Sequence, residues 1–192
     1  MSNENNHFSD KVIVTNILNG NIQDFAMIVK STEKLVTQVV RKMTTNVDDQ
    51  MDLVQDIYLK AYQNLPSFQF KSKLSTWIAN IAYNTTVNYL QKKRIPIIGI
   101  ENTIENNFTI TDNPELATIK TEAVEILNAE IDKLPPLHKT LIHLYHLENL
   151  PIKEISAIIN LPEGTIKSYL SRARKTLKDN INHHFKNEYY EK

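Results

Sequence analysis

Between residues 48 and 65 the apolar side chains Val54, Ile57, Tyr58, Ala61, Tyr62 and Leu65 recur at the i, i+3, i+4 interval. A chain buries such a stripe on one side by winding into an amphipathic α-helix. No alternating apolar–polar run elsewhere is long enough to predict a strand, and only three glycines occur, Gly20, Gly99 and Gly164. Glycine-rich phosphate loops are therefore absent. The expected fold is all-α.

In order along the chain, residues 1–10 are expected to be disordered or loosely docked. A short helix over about 11–18 ends at Asn19-Gly20, a C-cap signal. Asn21 is placed to cap a helix with Phe25, Ile28, Val29, Leu35, Val36, Val39, Val40 and Met43 inward. Thr44-Thr45-Asn46 breaks it before the 48–65 helix, whose first turns carry Asp48, Asp49, Asp52 and Asp56, as the positive end of a helix dipole favours. Pro66-Ser67 turns the chain, and a further helix runs to about Lys93, where Ile95-Pro96 ends it.

A second helical unit starts near Asp112-Asn113-Pro114, with Leu116, Ile119, Ala123, Ile126 and Leu127 on its face. Pro135-Pro136 separates it from a helix over 137–147. Residues 152–159 then read as a short helix with Ile152, Ile155, Ile158 and Ile159 inward. A break at Asn160-Leu161-Pro162 leads to a longer helix from Glu163. Two helices across a tight turn form a helix-turn-helix, with the second free to enter a major groove. Asn160 stands in the turn where glycine is usual and tolerates the left-handed conformation required. The architecture predicted is two small helical domains, 1–96 and 112–192, joined by a flexible linker at 97–111 set in an acidic stretch.

Lysine plus arginine balance aspartate plus glutamate at 22 each, so the chain is not a generally basic nucleic-acid binder, but its charges are segregated. From Ile57 to Ile100 there is no acid, whereas Lys60, Lys71, Lys73, Lys92, Lys93 and Arg94 lie among Phe68, Phe70, Trp77, Tyr83 and Tyr89. Positive charge follows a phosphate backbone and flat rings stack on unpaired bases, the chemistry of single-stranded nucleic-acid binding. The same rings equally suit a core, and Trp77 and Tyr89 are assigned to packing by default. A second basic group, Lys167, Arg172, Arg174, Lys175 and Lys178, lies on the helix after the turn.

There is no cysteine and hence no disulfide or cysteine-based zinc site. No apolar run approaches the roughly 20 residues of a membrane span, and the polar start is unlike a signal peptide. The expectation is a cytoplasmic protein without membrane insertion.

Residues 52–94, with D-L-V-Q-D at 52–56, the L-x-S-F ending at Phe68 and S-T-W-x-x-x-I-A-x-N-T from Ser75, resemble region 2 of bacterial sigma factors of the extracytoplasmic-function (ECF) group. L-P-P at Leu134, E-I-S-x-I-I-N-L-P-E-G-T-I-K-S at 154–168 and S-R-A-R-K from Ser171 resemble region 4 of the same group. The resemblance implies a non-catalytic specificity subunit, without metal or cofactor, that binds core RNA polymerase and promoter DNA, duplex and single-stranded. By family habit an anti-sigma factor is a further partner. Asp52, Leu53, Gln55 and Asp56 match the helix that docks on the clamp coiled coil of the polymerase; an acidic helix N-terminus accounts for the same residues structurally. Asn84 and Thr85 match the loop and helix start that receive a flipped base of the minus-ten element. Phe68 lies near that pocket, with core packing as its alternative, and Lys92, Lys93 and Arg94 would follow the backbone phosphates. In region 4, Thr165, Lys167, Ser168, Ser171, Arg172 and Arg174 are expected to meet the minus-thirty-five element, Arg174 by phosphate or by pairing with an acid.

Three departures from the family pattern stand out. A common basic-glycine-acidic trio is Gln69-Phe70-Lys71 here, Tyr169 replaces a common basic residue of the recognition helix, and the long C-terminal extensions of some ECF types are not expected. A stand-alone dimeric helix-turn-helix regulator would explain residues 151–178 but leave 52–94 without a purpose. A helical hydrolase with a metal on His143 and His146 lacks a third ligand. The tail pair His183-His184 carries no stronger case.

Overall fold

The computed structural model describes the backbone of residues 2–93 and 119–190, with side chains for 10–93 and 124–183. Among these residues every regular element is helical. The predicted linker, Arg94, and the start of the second unit near Asp112 lie outside the described residues.

The first helix, α1 (Ser2–Leu18), is longer than the expected 11–18 and includes residues expected to be loose. It buries Val14 and Ile17. Its end is tied down where Asn19 N donates to Thr15 O at 3.0 Å and Gly20 N to Ile17 O at 3.0 Å. Gly20 takes φ 103°, a conformation free of strain only without a Cβ. Near the far end of its described part, Asp10 Oδ2 accepts from Leu74 N at 2.9 Å, so α1 supplies a cap for a helix some sixty residues on.

A single 3-10 turn, Ile22–Asp24, intervenes before α2 (Phe25–Met43), and the Asn21 side chain makes no cap bond, contrary to expectation. The turn displaces Asn21 from the helix start it was placed to cap. Along α2 the buried side chains are Ile28, Thr32, Val36, Val39, Val40 and Met43, the stripe read from the sequence. In α3 (Val47–Asn64), Asn46 Oδ1 accepts from Asp49 N at 2.9 Å as an N-cap. Helix α3 joins α2 through Leu53, Ile57, Tyr58 and Ala61 and a buried contact of Thr32 Oγ1 with Tyr58 Oη at 3.0 Å. Tyr62, expected inward, is 38% exposed and meets Phe25 edge-on, centroids 5.2 Å apart.

Helix α4 (Leu74–Lys92) is the central element, because it is buried on several sides: Leu74, Ile78, Ala79, Ala82, Tyr83 and Leu90, with Thr76, Thr85 and Thr86. Burying each large apolar side chain is worth roughly 1.5–3 kcal/mol. Helices α2 and α3 pack against one part of its surface and the second half of the chain against another.

That half begins, as described, with α5 (Ile119–Asp132). Leu127 on its expected inner face is 40% exposed, while Ile131 is buried. The helix expected over 137–147 is instead α6 (Pro136–Ile142) continued by a wider π turn, His143–Leu147, in which Glu148 N donates to His143 O at 3.0 Å. Helix α7 (Ile152–Ile159) buries Ile155, Ile158 and Ile159. The chain then reverses at Asn160, in the left-handed region with φ 59° and ψ 41°, and continues as α8 (Glu163–Tyr190). Ile166, Leu170, Ala173 and Leu177 bury its inner face against α5, α6 and α7.

The two halves touch. Helix α4 lies along α7 and α2 against α6, with ion pairs Lys34–Glu148 at 3.1 Å and Lys42–Asp132 at 3.8 Å across the seam.

Candidate nucleic-acid interface

The expected sites fall on three surfaces. On the outer face of α3, Asp52, Gln55 and Asp56 are exposed, and Met51 and Leu59 beside them expose 56% and 55% of their surface. Acidic and exposed apolar side chains therefore share this face of α3. Leu53 is the exception: it is 5% exposed and belongs to the core. Its place in the D-L-V-Q-D motif corresponds to the inward side of the helix, behind the exposed Asp52, Gln55 and Asp56.

The second surface centres on α4. Asn84 and Thr85, expected at a loop and helix start, lie within the helix. Asn84 is exposed, with Nδ2 donating to Asn80 Oδ1 at 3.1 Å. Thr85 is buried and accepts from Lys60 Nζ at 3.4 Å. One residue along a helix turns the side chain by about 100°, which takes Thr85 off the face that Asn84 presents. Phe68 is 7% exposed and packs on Phe70 and Trp77 with centroids 4.7 and 5.1 Å apart. It is a core ring that backs the surface.

Trp77 is half-buried and, with Ser72, Thr76, Asn80 and Asn84 of the first half and Ala157 and Asn160 of the second, lines a cleft of about 290 Å³. Carboxamides that both donate and accept, beside an indole, are groups able to read a planar base. Asn80 is the residue sequence reasoning missed. It sits one turn before Asn84, and the i, i+4 spacing was the available signal.

Phe70 replaces the glycine of the common trio, and its φ is 55°. A bulky side chain in that region costs on the order of 1–3 kcal/mol, and here the ring is held by a tilted contact with Phe68, the planes 54° apart. At the end of α4, Lys92 and Lys93 are exposed. Lys93 is engaged, with Nζ 2.9 Å from Asp49 Oδ2 and 4.8 Å from the Tyr89 ring centroid.

The third surface is the outer side of α8. Lys167, Ser168, Ser171, Arg172 and Arg174 are exposed and Thr165 half-buried; those residues that are exposed span about 160° of the helix surface. Ser168 Oγ donates to Gly164 O at 3.0 Å, and Arg174 Nε to Leu170 O at 3.2 Å, its own helix rather than an acid. Tyr169, in the place of a common basic residue, is half-buried against His138, centroids 5.5 Å apart, with Arg172 lying 5.9 Å over its ring. The aromatic there joins the packing of the second half.

His143 and His146 do not converge. His143 is buried with Nε2 3.5 Å from Glu148 Oε1, whereas exposed His146 meets Tyr145 edge-on at 4.8 Å. Among the described residues no three His, Cys, Asp or Glu side chains are grouped to hold a metal. No described helix is long and apolar enough to cross a membrane.

The relation to known proteins agrees with this arrangement. Residues 28–95 match the Sigma-70 region 2 family and residues 125–177 the Sigma-70 region 4 family. The chain is 30% identical to the ECF RNA polymerase sigma factor SigW of Bacillus subtilis over 176 residues, 88% of this chain and 94% of that protein. It is 31% identical to the ECF RNA polymerase sigma-E factor of Escherichia coli over 181 residues, 90% and 94% of the two chains. In fold it is similar to CnrH in complex with the cytosolic domain of CnrY, with a TM-score of 0.64 at 17% identity over 91% of this chain and 97% of that one. It is likewise similar to the sigma factor RpoE in complex with the anti-sigma factor NepR from Bartonella quintana, with a TM-score of 0.62 at 22% identity over 83% and 98%. A region 2 unit followed by a region 4 helix-turn-helix, with relatives aligned along nearly the whole length, makes this chain a member of the ECF sigma factor family, a transcription initiation factor that acts at promoters and not an enzyme.

Proposed function

We propose that the chain binds core RNA polymerase through the outer face of α3 and reads promoters with two separate surfaces. Residues 1–96 form the unit that docks and opens the minus-ten element, 97–111 the acidic linker, and 112–192 the unit that reads the minus-thirty-five element as duplex. Asp52, Gln55 and Asp56 make the polymerase contact, with Met51 and Leu59 beside them. Asn84 hydrogen-bonds a base flipped from the non-template strand, Trp77 borders its path, and Phe68 and Thr85 support the wall from inside. Flipping costs a few kcal/mol of stacking, which such contacts offset. Lys92, Lys93 and Arg94 follow the phosphates. Lys167, Ser168, Ser171 and Arg172 enter the groove, with Thr165 and Arg174 toward the backbone. The site of action is the cytoplasm, and an anti-sigma factor, as in the complex of RpoE with NepR, is the regulatory partner.

The observation that supports this reading best is the cleft beside α4, which Asn84, Asn80 and Trp77 line together from one side of the helix. The test is co-elution with core polymerase lacking its own sigma factor, followed by transcription from a pool of genomic fragments. Asp56→Arg is expected to weaken co-elution at least tenfold. Asn84→Ala should leave co-elution unchanged yet lower open-complex formation about tenfold, the scale of one lost polar contact to a base. Failure of the folded wild-type protein to bind a cognate core enzyme would refute the reading in favour of a stand-alone regulator.

A further inference from the structure

We propose that Tyr169 is a positioning residue for promoter reading: braced by His138, its ring fixes the Arg172 guanidinium so that Arg172 discriminates one base pair of the minus-thirty-five element. The ring platform stands on geometry alone; its effect on DNA rests on the function proposed above, in which Arg172 enters the groove.

The family pattern commonly has a basic residue where this chain has Tyr169, between Lys167 and Arg172. The change trades a charge for a flat ring. Arg172 follows at i+3, on the same side of α8, and its Cζ lies 5.9 Å from the Tyr169 ring centroid. A cation within about 6 Å of a ring centroid is drawn to the ring face. The ring itself is not free to swing. Tyr169 is half-buried and meets the half-buried His138 of α6, with centroids 5.5 Å and planes 49° apart. Arg172 bears on the same pair electrostatically. Burial is the main cause that holds the His138 pKa below the ordinary histidine value, and the Arg172 charge adds to it. At neutral pH His138 is therefore uncharged, and it braces the ring without repelling the guanidinium beside it.

What the contact leaves available matters as much. Arg174 spends its Nε donor on Leu170 O of its own helix. The described residues give Arg172 no carboxylate partner, and its side chain is exposed. A guanidinium over a ring keeps its in-plane N–H donors for the two acceptors of a guanine edge. Fixing a long side chain against a base costs rotamer freedom. An Arg172 already laid on a braced ring has given up part of that freedom before DNA arrives.

The test uses the full chain with core polymerase and a fluorescent promoter duplex recovered by transcription, each minus-thirty-five base pair being replaced in turn. Discrimination is the ratio of affinities for the original and the replaced duplex. Arg172→Ala should lower that ratio about tenfold at one base pair. Tyr169→Leu, which keeps apolar bulk against His138, should lower it about two- to fivefold at the same base pair and change it little elsewhere. Tyr169→Phe, which keeps the ring, should retain it. Tyr169→Leu combined with Arg172→Ala should discriminate no worse than Arg172→Ala alone, because the ring acts only through the arginine. In the free chain, nuclear magnetic resonance should find the Arg172 δ-methylene protons shifted upfield by the ring in wild type and Tyr169→Phe, and unshifted in Tyr169→Leu. An equal loss of affinity for all duplexes in Tyr169→Leu, failure of Tyr169→Phe to retain discrimination, or additive losses in the double variant would reduce Tyr169 to packing and overturn the proposal. So would Arg172 protons that are unshifted in wild type. If Arg172→Ala leaves every ratio unchanged, the groove contact proposed above fails and the positioning role falls with it, whatever the ring shift.

Discussion

Asn160 sets the angle between the two helices of the helix-turn-helix, and its replacement separates backbone strain from side-chain packing. The residue has φ 59° and ψ 41° and is exposed, so truncation removes no buried contact. Its backbone N donates to Ser156 O at 2.9 Å, and Ser156 Oγ to Leu161 O at 2.6 Å, bonds that persist whatever side chain stands at 160. An ordinary side chain in the left-handed region costs roughly 1–2 kcal/mol, and asparagine is one of the residues that visit it routinely. Glycine escapes that cost but brings an unfolded-state entropy penalty of roughly 0.5–1 kcal/mol. Asn160→Ala is therefore expected to destabilise by about 1 kcal/mol, and Asn160→Gly by less than about half that.

For a chain of this length such a loss lowers Tm by about 2–4 °C. Urea unfolding and thermal melts followed by circular dichroism measure it. Asn88→Ala is the control, the same chemical change at an exposed position inside α4, where alanine has the higher helix propensity and stability should hold or rise. An Asn160→Ala loss no greater than that of Asn88→Ala, or glycine worse than alanine, would refute the strain argument.

Two further outcomes are expected. Lys167→Ala should weaken binding to a minus-thirty-five duplex and reduce the slope of log affinity against log salt by about 0.9, the share of one phosphate contact; anisotropy titrations across salt measure it, and an unchanged slope removes Lys167 from the DNA backbone. Burial, with the charge of Arg172 near His138 and of Lys42 near His143, holds both imidazoles below the ordinary histidine pKa. The unfolded chain therefore takes up protons first as pH falls through about 6.5. The stability these histidines contribute is complete above that value and is lost on acidification, at no more than about 1.4 kcal/mol per pH unit for each. Melts from neutral to mildly acidic pH should show a shallower decline in His143→Gln than in wild type, and parallel curves would contradict the assignment.

How far the sequence could be read differs from element to element. The stripe of Ile28, Val36, Val39, Val40 and Met43 and the core of α7 were legible because a periodic set of apolar residues has one economical way to leave water. The turn at Asn160 was legible because few residues accept positive φ. The extra 3-10 turn after Asn21 and the π turn at His143–Leu147 were not, since both adjust a helix end by less than the periodicity resolves. Motif resemblance named the right stretches but not the direction of each side chain. Leu53, Phe68 and Thr85 belong to the matched motifs, yet they face inward, and only their neighbours in space decide that.

The sequence by itself determined local and additive properties: helical periodicity, the segregation of acid and base, the main breaks between helices such as the turn at Asn160, and membership of a two-region family. The tertiary structure decided what depends on residues far apart in the chain. Asp10 caps α4 from a distance of 64 residues, Glu154 meets Lys73 across 81, and Asn80 bonds the end of α7 across 77 and 78. None of these pairs follows a helical or strand period, because a side chain's partner over such separations is set by how whole helices pack and not by its place along any one of them.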